Sequence, residues 1–122
     1  MGSLENTDTD RTKLLDEARA HLKDEGFCVI PDVLNKQEAD NALARLWAAV
    51  EESKKRGDDT FLPFLDPNES NVRVFYLLDL DPIFRKLIEH ATAVDMVKSV
   101  LGENYLISNF TANIAQPGCK DP

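Results

Sequence analysis

The chain has 122 residues, 43% apolar and 30% charged, with 22 acidic against 14 basic side chains and a net charge of −8. That is the composition of a globular domain with a modest core, and its acidity argues against nucleic acid or an anionic membrane surface as partner, since both reward clustered Lys and Arg. Neither a signal peptide nor an apolar run of membrane-spanning length is legible, so a cytoplasmic location is expected.

Residues 1–9 read as a polar, disordered leader ahead of one domain over 10–122. From Thr9 or Asp10 the spacing predicts a helix to about Glu25, with Leu14, Leu15, Ala18 and Leu22 as its apolar stripe and Gly26 as its stop. Residues 27–30, Phe-Cys-Val-Ile, then read as a short apolar strand ended by Pro31. Asn35, with Glu38 after it, has the form of a capping box and opens a second helix. Ala39, Ala42, Leu43, Leu46, Trp47 and Val50 recur on one face of that helix, which places Trp47 in the core. Lys54, Lys55 and Arg56 stand at its C-terminal end, where the helix dipole favours cations, and Gly57 ends it.

Residues 57–70 contain Pro63 and Pro67, fit no period, and form a loop. Its Phe61, Leu62, Phe64 and Leu65 imply that it packs on the domain or borders a substrate cavity. A strand is expected over 71–77, where Val72, Val74 and Tyr76 alternate with Arg73 and Phe75. Asp81 followed by Pro82 marks the start of a helix with Ile83, Phe84, Leu87 and Ile88 inward. Another short helix starts near Thr92, with Val94, Val97, Val100 and Leu101 inward and Gly102 as its stop. A long strand over 105–115 then runs into a Pro117-Gly118 turn. On it Asn109, Thr111, Asn113 and Ala115 share one face, and Ser108, Phe110, Ala112 and Ile114 the other.

The residues that usually carry chemistry are few. His21 and His90 lack the neighbours of a metal motif, so each reads as structural or exposed. The carboxylates Asp58, Asp59, Asp79 and Asp81 read as loop solvation and helix capping. Cys28 reads as a reduced, buried thiol and Cys119 as a turn residue. No nucleophile elbow or phosphate-binding glycine loop is present. Taken alone, the residues name no catalytic group and no metal ligand.

Three segments in order carry a resemblance: LKDEGFCVIPDVLNKQEADNAL from Leu22, RVFYLLDLDPIFRKLIEH from Arg73, and SNFTANIAQPG from Ser108. Together they resemble the N-terminal part of the phytanoyl-CoA dioxygenase family. The resemblance implies an α+β fold, in which an N-terminal helical flank leads into the first strands of a double-stranded β-helix of jelly-roll or cupin type, the barrel incomplete in this chain. It implies a dioxygenase that uses Fe(II) and 2-oxoglutarate to hydroxylate or otherwise oxidise a small-molecule substrate. The family's iron-binding His-x-Asp pair follows the Pro-Gly turn, and this sequence reaches Lys120-Asp121-Pro122 without one. The expectation is therefore that the full-length enzyme binds iron and 2-oxoglutarate and that this stretch alone binds neither. On the same resemblance, Thr111 and Asn113 on the polar strand face, Gln116 at the turn and Arg73 on the earlier strand are the candidates for contact with 2-oxoglutarate or substrate. The alternatives are that Thr111 and Asn113 merely satisfy each other or face solvent and that Arg73 is a surface residue with its stem along the sheet. The rival functions are a catalytically inactive relative serving as partner or scaffold in a homo- or hetero-oligomer, and an α+β interaction module of other ancestry.

Overall fold

The computed structural model describes residues 3–66 and 68–117. Its elements are α1 (Ser3–Glu25), α2 (Lys36–Arg56), β1 (Val72–Val74), α3 (Leu77–Leu80), α4 (Pro82–Ile88), α5 (Ala91–Leu101) and β2 (Ala112–Ile114). They fall into two compact units, one holding α1, the arm to Asn35 and the segment His90–Tyr105, the other holding Lys36–Glu89 with the chain from Leu106 onward.

In the first unit α1 begins at Ser3, well before Thr9, so the stretch expected as a disordered leader is helical from Ser3. No Gly or Pro interrupts it there. Gly26, at φ 84°, takes the left-handed conformation that ends α1, and its N–H bonds the Leu22 carbonyl. Residues 27–30 belong to no ladder, contrary to the strand expected there. A strand needs a hydrogen-bonding neighbour, and this segment instead lies against α1 through side chains. The Arg11 Nη1 donates to the Pro31 carbonyl at 2.8 Å, and the His21 ring meets Phe27 edge-on with centroids 4.9 Å apart. Arg19 forms ion pairs with Asp16 and with Asp95, joining α1 to α5. His90 caps α5 by accepting from the Thr92 N–H at Nδ1, and Gly102, at φ 81°, follows its end. Cys28, expected buried, is half-buried beside an apolar groove of about 440 Å³ that Leu22, Met96, Val97 and Leu101 help to line.

The second unit has a core of Ala49, Val50, Val74, Leu77 and Phe84, with Leu46, Ile83, Phe110, Ala112 and Ile114 packed around it. Helix α2 turns Ala49, Val50 and Ser53 inward. Trp47 is 40% exposed and Leu43 54% exposed, so the expected core position of Trp47 does not hold. The apolar arc of α2 is wider than the surface that β1, α3 and α4 cover, and Leu43 and Trp47 lie on its uncovered side. Asp81 caps α4 as its sequence predicts, accepting from the Ile83 N–H at 2.9 Å with Pro82 in the first turn. The same carboxylate takes Arg45 of α2 at 3.1 Å.

Both strands are shorter than expected. β1 stops at Val74, and Tyr76 adopts a left-handed conformation (φ 60°, ψ 37°) that turns the chain into α3, an element absent from the sequence reading. β2 spans only Ala112–Ile114 of the expected 105–115, because β1 supplies partners for those residues alone. The two strands are antiparallel, with Val72 opposite Ile114, Arg73 opposite Asn113, and Val74 opposite Ala112. Val72, Val74, Ala112 and Ile114 face the core, and Phe110 meets Phe84 edge-on with centroids 6.5 Å apart. The alternation expected along the last strand is therefore present on its apolar side. The Arg73 and Asn113 side chains occupy the other face.

Candidate functional site

The outer face of the sheet brings together two of the residues proposed from sequence. Arg73 and Asn113 are directly opposed. The Arg73 N–H donates to the Thr60 carbonyl at 2.8 Å and so points away from β2. Arg73 and Asn113 therefore form the non-hydrogen-bonded kind of antiparallel pair, in which facing side chains stand closest. Thr111, half-buried, precedes β2 on the same face by alternation, and Asn113 is exposed. Gln116 is exposed beyond the end of β2, outside the ladder.

Arg73 already has a carboxylate partner, Asp66. Its Nε and Nη2 both donate to Asp66 Oδ1, at 3.1 and 2.5 Å, with Nε also 3.5 Å from Oδ2, so one carboxylate oxygen takes both donors of that guanidinium edge. The Asp66 side chain is fully buried and that of Arg73 19% exposed. Asp66 Oδ2 also accepts from the Leu62 N–H at 2.9 Å, and the Asp66 N–H returns to the Leu62 carbonyl at 2.7 Å. Loop 57–70 is thus closed on itself at 62–66 and tied to β1 at two points, Thr60 and Asp66. Arg73, then Leu62, hold the Asp66 carboxyl below its ordinary range, with a further hydrogen bond from Asn71 in the same sense and burial opposing. Asp66 in turn raises the Arg73 pKa. Of the apolar loop residues, Phe61 and Leu62 are half-buried, while Phe64 is 80% and Leu65 54% exposed, so only the base of the loop packs on the unit.

Asp66 is the residue that sequence reasoning missed. An acid within the apolar stretch from Phe61 to Pro67 was the available signal. Asn71 beside it is also buried, and its Oδ1, like Ser53 Oγ, has no hydrogen-bond partner among the described residues.

The described residues do not fit an iron centre. No group of three or more His, Cys, Asp or Glu among them is placed to hold a metal ion. His21 shares Nδ1 with the Phe27 carbonyl at 2.7 Å, and His90 spends Nδ1 on the cap of α5. A carboxylate ligand is a different matter. Arg73 Nη1, the Asn113 carboxamide and the Thr111 hydroxyl are all donors suited to one.

The chain is 52% identical over 111 residues to Dioxygenase af480 of Aspergillus fumigatus. The match takes in 91% of this chain and 36% of that protein, so the chain spans little more than a third of the relative's length. No family model matches the sequence, and no solved structure matches it. Among the described residues no helix is long and apolar enough to cross a membrane.

Proposed function

We propose that this chain is the N-terminal part of an Fe(II)- and 2-oxoglutarate-dependent dioxygenase of the phytanoyl-CoA dioxygenase type, acting on a small-molecule substrate. The observation that carries the reading is the 52% identity over 111 residues to a protein named as a dioxygenase. The resemblance of three ordered segments to that family supplies the cosubstrate and the fold. In this reading the β1–β2 pair is the start of a double-stranded β-helix, with its core face on the helices and its polar face toward the cosubstrate.

Arg73, Asn113 and Thr111 would hold a carboxylate of 2-oxoglutarate, with Gln116 nearer the turn. The cosubstrate, when bound, would supply half of the electrons for oxygen reduction through its oxidative decarboxylation, the substrate's oxidation supplying the other half. The residues described here bind and orient; none is assigned a proton transfer. No metal-dependent step is assigned to them, because their donors do not fit iron.

The test is oxygen consumption by the full gene product with Fe(II) and 2-oxoglutarate, followed by succinate release. Succinate formation that needs both iron and 2-oxoglutarate is expected. A folded protein that neither binds 2-oxoglutarate nor releases succinate would favour the inactive partner or scaffold instead.

A further inference from the structure

We infer that the apolar groove of the first unit, formed by α1, the arm at Phe27–Cys28 and α5, is a docking surface for a later segment of the same polypeptide, one that follows residue 122 in the full gene product. The inference rests on the reading of this chain as the N-terminal part of a longer protein. It adds to that reading a place of attachment.

The groove has a volume of about 440 Å³, and apart from the Cys28 thiol every side chain lining it is apolar. Helix α5 supplies most of that surface. Ala93, Met96, Val97, Val100 and Leu101 recur at i, i+3, i+4, i+7 and i+8, the stripe of a helix that packs on a neighbour. Of these only Met96 is buried. Val100 is 54% and Leu101 65% exposed, although their spacing predicts them inward, and Phe27 in the same groove is 59% exposed. Single exposed apolar residues need no explanation, but a contiguous patch of them marks an interaction surface.

The chemistry of the groove narrows its occupant. A small-molecule pocket of this volume carries a few convergent polar groups that orient its ligand, and this lining offers only a thiol. A second copy would bring another net charge of −8 against the same charge. It would also meet the full cost of lost translational and rotational freedom. A segment of the same polypeptide is tethered, so its effective concentration is high without that cost. The relative has the length for such a segment, since the match takes in only 36% of it. The occupant is thus an element with an apolar face, uncharged where it meets α5.

The test uses the full gene product, with Cys28 as a reporter inside the groove. Maleimide labelling is followed by peptide mass mapping, in the native protein and in urea. A covered groove should slow native labelling of Cys28 about a hundredfold or more relative to the unfolded chain, at every protein concentration. Val100→Asp should lower the melting temperature by about 5 °C or more, whereas an open surface site would scarcely register it. Val100→Ala, the milder change, should show a smaller drop in the same direction. Native labelling within about tenfold of the unfolded rate overturns the inference, as does an unchanged melting temperature in Val100→Asp. Protection that vanishes on dilution also overturns it and assigns the groove to a second copy. Succinate release is scored separately. A protected Cys28 without succinate removes the dioxygenase reading alone, and succinate with a freely labelled Cys28 removes the docking inference alone.

Discussion

Arg73 faces Asn113 across the sheet while its own N–H turns the opposite way, to the Thr60 carbonyl at 2.8 Å. One residue therefore joins three pieces of chain: β2 through the pairing, the loop base through its backbone, and the loop's buried acid through its guanidinium. Its neighbours Val72 and Val74 contribute to the core instead, so the same short strand serves packing on one face and polar chemistry on the other.

The first prediction concerns acid. Asp66 has its carboxyl lowered from an ordinary value of 3.8 by the Arg73 hydrogen bonds and then by Leu62. A depressed folded pKa adds stability that is fully present above the unfolded value and is lost as pH falls toward the folded one. The melting temperature should therefore drop as pH is lowered through and below the ordinary carboxylate range. Asp66→Asn should melt lower at neutral pH and show a flatter acid limb, measured by circular dichroism across a pH series. An unchanged slope would contradict the role given to this pair.

Phe84 is 3% exposed and sits among Val50, Val74 and Leu77, with Phe110 edge-on. Phe84→Ala should cost about 3–5 kcal/mol, the usual range for emptying an aromatic site in a core. Phe84→Leu, which refills most of the volume, should cost much less. Chemical denaturation of the two variants checks the order.

Asp81 has two duties that mutation separates. It caps α4 through the Ile83 N–H and accepts Arg45 from α2. Asp81→Ala should cost about 1 kcal/mol or somewhat more through the cap. Arg45→Ala should cost no more than a few tenths, because Arg45 is largely exposed and such pairs are screened. Equal losses in the two variants would mean that the ion pair, not the cap, dominates.

Trp47 offers the opposite test. At 40% exposed it lies to the side of the α2 face that carries Ala49 and Val50. Trp47→Gln should change unfolding free energy by only about 0.5 kcal/mol, against several for a buried tryptophan. Its fluorescence in the parent chain should be readily quenched by acrylamide.

What could be read in advance was local chemistry. Asp81-Pro82 announced the start of α4, Gly26 and Gly57 the ends of two helices, and the alternation of Phe110, Ala112 and Ile114 the buried side of the last strand. These signals need only neighbours in sequence. The failures all depended on distant partners. Residues 27–30 and 105–111 have strand composition, yet a ladder forms only where another strand lies alongside, and among the described residues only 72–74 and 112–114 meet that condition. Trp47 shared a helical period with buried residues, but how wide an arc is covered depends on what packs against α2. Of the candidate site, the facing of Arg73 and Asn113 on one polar surface was partly legible from period-two alternation. The Asp66–Arg73 pair was not, since it closes across an irregular loop whose path no periodicity encodes. The turn residues Gly118 and Cys119 lie outside the described residues.

The Thr60–Arg73 hydrogen bond also occupies the outer edge of β1. With the outward N–H at the middle of β1 already engaged, that donor is closed to an incoming strand. A strand joining the sheet on the β1 side would first have to displace the Thr60 carbonyl from Arg73.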